Sequence, residues 1–353
     1  MTSVPHPSPL PWLQHNGNEI DLLLASESQS VDSVGGQGTG SDDRDQFLDD
    51  VKTGLAAKPK RLSSKYFYDR RGSLWFDEIC RLPEYYPTRT ELQIMRRHSG
   101  DMARRLGPNV RLVEWGSGSS WKTRLLLEHL ADPHSYIPID VSGEHLQATA
   151  EGLREDYSEL AITPIVADFT ERFDLPDTKR GPRPERTCLY FPGSTIGNFE
   201  PEVARRLVSL ASRQCGPGGA VLIGVDLQKD VRRLIAAYDD SRGVTANFNL
   251  NLLRRINREL GGDFDLEQFS HDVRYDTNHH RIEMHLRSEI AQHICVDGSR
   301  FDFECGETIC TEFSHKYTVA GFNAMAQTVG VHVVDHWTDD ASDFAVLMLE
   351  RSS

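Results

Sequence analysis

The sequence predicts an α/β protein: a Rossmann-like, doubly wound parallel sheet joined to a second, smaller α+β domain. Three observations carry this. Five apolar runs of strand length, at 112–115, 136–141, 162–169, 188–191 and 220–225, alternate with helical stretches such as 122–130 and 201–213, the pattern of a parallel sheet. Each run leads into a glycine turn or ends at an acidic residue, where ligands of such sheets bind. After Asp226 the alternation stops and short helices give way to consecutive strands.

Taken in order, residues 1–41 are rich in Ser, Gly, Pro and Asp, the composition of a disordered leader. The charged stretch 42–56 is expected to be helical. Segment 62–91 is dense in aromatic residues: Tyr66, Phe67 and Tyr68, then LPEYYPTRTE. These tyrosines can form a lid whose hydroxyls and ring faces meet a cationic ligand, or pack half-buried.

The run 112–123 reads LVEWGSGSSWKT, a strand, a glycine loop and a helix start. Gly116 and Gly118 let the backbone turn sharply and approach a ligand. A dinucleotide loop would carry a third glycine beneath a pyrophosphate, but Ser119, Ser120 and Trp121 stand there. S-adenosylmethionine, which carries no phosphate, suits this loop better.

The second strand, YIPIDV, ends at Asp140, about two dozen residues after Gly116, near the roughly 20-residue interval at which a carboxylate meets a ribose hydroxyl. The third, ITPIVADF, places Asp168 to accept from an adenine amine and Phe169 to lie against the ring. The alternative for either carboxylate is a solvated strand end. The fourth strand enters GSTIGN, and the fifth ends at Asp226.

Beyond it, 231–238, 249–260 and 266–269 read as helices, and 281–288, 291–296 and 308–317 as strands. Glu312 and Ser314 stand two apart on the last and share a face, pointing into a pocket or simply to solvent. A helix at 320–329 and strands at 332–337 and 344–350 complete the chain.

Composition narrows the function classes. The 353 residues carry 39 Lys+Arg against 53 Asp+Glu, a net charge of −14 with no basic block, which argues against nucleic acid or an anionic membrane as partner. No apolar run is long enough to span a membrane, and no signal-peptide core opens the chain. Six cysteines form no CxxC pair, so reduced thiols in a cytoplasmic protein are expected. No HExxH or similar pattern is present, and no metal is expected.

The segments KYFYDRRGSLWFDEI, RLPEYYPTRTE, GSGSSWKTRLLL, PGSTIGNFEP, DLQKDVRRLIAAYDDSRGVTANFN, RIEMHLRS and TEFSHKY, in this order, closely resemble the L-histidine Nα-methyltransferases of ergothioneine biosynthesis. The match runs from about residue 42 to the C-terminus. The resemblance implies a class I methyltransferase sheet closed by a hairpin, and transfer of three methyl groups from S-adenosylmethionine to the α-amino nitrogen of L-histidine, by way of mono- and dimethyl intermediates, giving hercynine. It implies a donor-binding domain from 90–226 and 317–353 and a substrate-binding domain from 42–89 and 227–316; a monomer is expected.

Carried over by position, the resemblance assigns Gly116, Lys122, Asp140, Asp168 and Phe169 to the donor, with Tyr68 near the transferred methyl. Tyr85, Asn198 and Tyr238 would hold the backbone end of the amino acid, and Glu312 and Ser314 the imidazole, with Met284 and Phe313 lining that pocket. Tyr68 and Tyr85 are the candidate catalytic residues, with either one or a water taking the amine proton. Two other readings stand beside this one: an Nα-methyltransferase of another amino acid such as tryptophan, and a catalytically silent nucleotide-binding module.

Overall fold

A computed structural model of the chain describes residues 41–118, 120–171, 173–176 and 183–351. The chain divides into two compact units, Met1–Gln46 and Phe47–Ser353. The predicted leader lies almost wholly outside the described residues.

Helix α1 (Ser41–Ala56) buries Phe47, Val51 and Leu55, a four-residue spacing that makes one apolar stripe. After strand β1 (Lys60–Arg61) and a 3-10 turn at Ser64–Phe67 come α2 (Arg70–Arg81) and α3 (Tyr86–Leu106). Asp69 caps α2, accepting from Gly72 N at 2.7 Å. The second half of this segment carries no element predicted from sequence; Pro87 in the first turn starts a long helix, which runs across the expected domain boundary at residue 89.

The main sheet follows: β2 (Val110–Trp115), α4 (Trp121–Leu127), β3 (Ser135–Asp140), α5 (Gly143–Asp156), β4 (Ala161–Ile162), β5 (Ile165–Val166), β6 (Arg186–Phe191), α6 (Pro201–Cys215) and β7 (Ala220–Asp226). The run 162–169 is not one strand. Pro164 interrupts it because proline has no N–H to donate to a ladder; β3 pairs Ser135 with Ala161 and Tyr136 with Ile162, then resumes at Ile139 with Ile165.

The inserted segment contains α7 (Val231–Tyr238), α8 (Val244–Leu260), β8 (Phe269–Asp276), β9 (Arg281–Ser288), β10 (Gln292–Val296), β11 (Ser299–Phe303) and β12 (Thr308–His315). Two of these strands, β8 and β11, were not predicted, and the helix read at 266–269 is a 3-10 turn at Leu266–Gln268 after which Phe269 opens β8. The chain ends in α9 (Val319–Gln327), β13 (Val331–Thr338) and β14 (Phe344–Arg351).

The large sheet has the order β13-β14-β7-β6-β2-β3-β4, with β5 also on β3. Its strands from β4 to β7 run parallel, and β14 pairs antiparallel with both β7 and β13. This is the class I methyltransferase sheet with its closing hairpin. One apolar cluster covers each face, so the strands are buried on both sides.

A second sheet, β1-β12-β9-β8, packs on α1, α2, α7 and α8 through a third cluster. It meets the first where Tyr317 N donates to Asp226 O at 2.9 Å and Gln228 N donates to Tyr317 O at 2.9 Å. That junction brings the end of β12 beside the carboxyl end of β7. Among the described residues, no helix is long and apolar enough to cross a membrane.

Candidate active site

The carboxyl ends of the parallel strands open onto a cavity of about 350 Å³. Gly116, Gly118 and Ser120 of the glycine loop all have positive φ, 66°, 47° and 53°. The third of these left-handed positions is a serine, and the Tyr136 hydroxyl lies 3.0 Å from its Oγ. A side chain at Gly118 would stand in open space, and one at Gly116 would approach Phe169 at 3.9 Å.

Asp140 faces this loop. Its Oδ2 accepts from Gly118 N at 3.1 Å and its Oδ1 from Ser142 N at 2.9 Å, so the carboxylate orders the glycine turn as well as lining the cavity. Phe169 stacks on buried Trp115 with centroids 5.4 Å apart and an interplanar angle of 12°. Asp168 accepts from Thr170 N and Oγ1 through one oxygen, at 2.9 and 2.6 Å, and turns the other toward Lys65, 3.9 Å away.

Lys122 lines the cavity too, but its ammonium sits 2.5 Å from buried Glu91. Glu91 also accepts from Gly193 N at 2.9 Å and Tyr190 Oη at 3.0 Å, tying α3 to the turns after β2 and β6. Gly224 on β7 leaves room for it: a Cβ there would lie 2.4 Å from Glu91 Oε1. Glu114, at the end of β2, accepts from the Tyr136 hydroxyl; burial pushes its carboxyl up to about 8.

These residues suit an adenosyl donor without phosphate. The cradle has an acidic strand end, an aromatic face at Phe169 and a buried Ser117 Oγ with no partner among the described residues.

Opposite the loop, Tyr68, Phe76 and Tyr85 close the cavity. They continue in an edge-to-face chain: Tyr68 to Phe76 5.6 Å, Phe76 to Tyr85 6.3 Å, Tyr85 to Tyr238 6.0 Å between centroids. The lid and packing readings of the aromatic segment are therefore both partly met. Tyr68 and Tyr85 face the cavity, whereas Tyr66 donates to Asp50 at 2.5 Å and Tyr86 is buried on Asp226. Burial holds the phenols of Tyr68 and Tyr85 far above their ordinary ionisation, so both are hydrogen-bonding groups rather than phenolate bases.

A second cavity shares Ser63, Ser64, Asn198 and Phe199 with the first and reaches Glu312. Glu312 pairs with Met284 across the strands, and Ser314 with Ile282, so Glu312, Ser314 and Met284 share the inner face. The Glu312 carboxylate makes no hydrogen bond to the described residues; burial pushes it up to about 7, against the pull of Lys316. The Ser314 hydroxyl lies 2.7 Å from Tyr238 Oη. Phe313 lines the second cavity beside Glu312 and Thr311 but does not share the face of Glu312, Ser314 and Met284. It faces the other side of the sheet, its ring between the guanidiniums of Arg61 at 4.0 Å and Arg281 at 3.5 Å, because neighbouring strand residues point to opposite faces.

Sequence reading missed the groups behind this pocket. Asp226 and Lys316, both buried, are 2.8 Å apart; Lys229 also pairs with Asp226, and Tyr86 Oη donates to it at 2.8 and 2.7 Å. Lys316 stands two residues after Ser314, so the alternation that paired Glu312 with Ser314 was the signal for it. Phe76 and Glu91 lie on helices that sequence reading did not recognise. Among the described residues no group of His, Cys, Asp and Glu is arranged to hold a metal.

Residues 47–351 match the family model described as histidine-specific methyltransferase, SAM-dependent. The chain is 41% identical over 307 residues to the histidine N-alpha-methyltransferase of Mycolicibacterium smegmatis, covering 86% of this chain and 94% of that one. Its similarity to the histidine N-alpha-methyltransferase of Mycobacterium tuberculosis is the same, 41% over 307 residues with 86% and 94% covered. It is 28% identical over 311 residues to ergothioneine biosynthesis protein 1 of Neurospora crassa, covering 83% of this chain and 33% of that protein. The chain belongs to the S-adenosylmethionine-dependent, histidine-specific methyltransferase family.

Proposed function

We propose that this protein trimethylates the α-amino nitrogen of L-histidine, giving hercynine for ergothioneine biosynthesis. One observation carries the choice of amino acid: a free carboxylate, Glu312, and a hydroxyl, Ser314, share the inner face beside the aromatic chain that borders the donor cavity. An imidazole offers one N–H and one bare nitrogen, and these two groups answer both. An indole has no bare nitrogen for Ser314.

In this reading Gly116, Asp140, Asp168 and Phe169 hold the donor, with Asp140 on the ribose. The bound donor supplies an electrophilic methyl on a sulfonium. Lys122 acts through Glu91, fixing the turns that shape the cavity. Tyr85, Asn198 and Tyr238 hold the amino acid's backbone end, and Met284 packs on its ring. Segments 90–226 and 317–353 serve the donor, and 42–89 and 227–316 the amino acid.

Methyl transfer is a displacement, so holding the amine in line supplies most of the rate. The residues have three tasks: to bind the amine unprotonated, to keep water out, and to tolerate the cation that builds up on it. Tyr68, Phe76 and Tyr85 offer ring faces and edges rather than aliphatic walls, which favours a cationic nitrogen. Their protonated hydroxyls orient the amine without competing for its methyl groups. The six cysteines, none in a disulfide, suit a reducing cytoplasm.

The test is mass spectrometry of purified protein incubated with S-adenosylmethionine and each amino acid in turn. Mass gains of one, two and three methyl groups on histidine alone support the reading, and preferential methylation of another amino acid overturns it.

A further inference from the structure

Lys316 is fully buried and spends each of its three N–H bonds on a different group. It donates to Asp226 at 2.8 Å, to Tyr238 Oη at 3.0 Å and to Ser314 Oγ at 2.7 Å. An ammonium has three protons and no acceptor, so this side chain is saturated. Asp226 is anchored in turn by Lys229 and Tyr86, and Ser194 Oγ accepts from its backbone N–H at 2.9 Å.

The two hydroxyls therefore each receive a proton from Lys316, and they also lie 2.7 Å from one another. One hydroxyl proton bridges the pair. The phenol is the more acidic partner, so Tyr238 donates and Ser314 accepts twice. Both lone pairs of Ser314 are then occupied, and its own proton has to point out of the network, on the face it shares with Glu312.

We propose that Lys316 is a positioning residue that turns Ser314 into an obligate hydrogen-bond donor, so that the pocket selects a five-membered ring with a bare nitrogen opposite its N–H. The inference rests on the reading of Glu312 and Ser314 as the ring-binding pair. Glu312, with no proton partner of its own, remains the acceptor for the N–H. Without Lys316 the serine regains a lone pair, can turn its proton inward, and no longer distinguishes a bare nitrogen from a C–H.

The test compares histidine with alanines bearing a thiazole ring, which has a bare nitrogen and no N–H, or a pyrrole ring, which has an N–H and no bare nitrogen, using both positional isomers of each. kcat/KM is measured for wild type, Lys316→Met and Ser314→Ala, with thermal melts to establish folding. Lys316→Met is expected to lose about tenfold or more on histidine and on the thiazole that wild type favours, because a site built to bond a substrate group depends on that bond. Activity on the pyrrole should stay within about twofold. Ser314→Ala, which leaves the ion cluster in place, should repeat this selective loss even if Lys316→Met proves unstable. Equal losses on all three rings in either folded variant, or no loss in folded Lys316→Met or in Ser314→Ala, overturn the proposal. Failure of the underlying reading looks different: wild type itself would then show no preference for histidine over the pyrrole and thiazole compounds.

Discussion

Ile309 and Glu312 face the same side of the small sheet although they lie three positions apart on one strand. Ile309 pairs with Leu286 and Glu312 with Met284, and the register shifts between Cys310 and Glu312. Leu286 and Met284 belong to one buried cluster, so the bulge re-aims the second half of β12. A regular strand would have placed Phe313 inward and Glu312 outward. The extra residue, Thr311, is held where its hydroxyl donates to Asn249 Oδ1 at 2.7 Å, and such bulges are a known means of turning a side chain toward a site.

Because Glu312 lines the second cavity and not the donor cavity, its removal should act on the amino acid and not on the donor. Glu312→Ala is expected to lower kcat/KM for histidine roughly 10- to 150-fold, equivalent to about 1.5–3 kcal/mol for a hydrogen bond to a charged group. Phenylalanine and tryptophan should be rejected less strongly. Measuring kcat/KM for the three amino acids checks this; an unchanged preference ratio would remove Glu312 from ring recognition.

The same carboxyl sets a pH dependence. Burial raises it from an ordinary 4.5 to about 7, so below that pH it is protonated and a poor acceptor. KM for histidine should therefore fall as pH rises through about 7 in wild type, and Glu312→Gln should lose that step. The sign for stability is opposite. A raised carboxyl favours the folded protein at low pH, and that contribution disappears as pH rises through about 7.

Asp140 has two tasks. Asp140→Ala should weaken S-adenosylmethionine binding at least about tenfold, since charge-assisted bonds are worth roughly 1.5–3 kcal/mol each, while leaving the sheet folded. The loss of two loop N–H partners adds a second expectation: the glycine turn should become more open to proteolysis or hydrogen exchange. Calorimetry showing unchanged donor affinity would exclude Asp140 from the ribose site.

His315 gives an acid-side prediction. Burial, reinforced by the charge of Arg281, lowers its pKa from 6.5 to about 4, so it is neutral in the fold. A lowered histidine contributes stability above about 6.5 and loses it as pH falls through about 4. Melting curves from pH 7 to 4 should show a smaller loss for His315→Gln than for wild type.

The sheet was legible because parallel strands buried on both faces read as apolar runs, and β2, β3, β6 and β7 lie where those runs do. The cavity-lining positions of Gly116, Asp140, Asp168 and Phe169 followed, since the strand ends fix where such a cavity opens. Strand β8, FSHDVRYD, escaped because it is only partly buried and its polar face mimics a loop. Helix α3 escaped because EYYP reads as a turn until Pro87 is seen as a first-turn residue. The face that Glu312 and Ser314 take relative to the first half of β12 was not legible, because it depends on a bulge between Cys310 and Glu312, and no local pattern announces one.

Gly224 lies in the middle of β7, and it still acts as a gauge for the donor cavity. A methyl group there would stand 2.4 Å from Glu91 Oε1 and 3.1 Å from a ring carbon of Phe344, so the carboxylate would have to swing away from Tyr190. Lys122 and the Gly193 N–H would lose their shared anchor together. Gly224→Ala should therefore weaken donor binding several-fold and cost about 1–3 kcal/mol of stability, the usual penalty for overfilling a packed site, read out by calorimetry and thermal melts. Tolerance to substitution in this enzyme is thus narrow at a point no ligand touches, where the allowance is a single hydrogen atom.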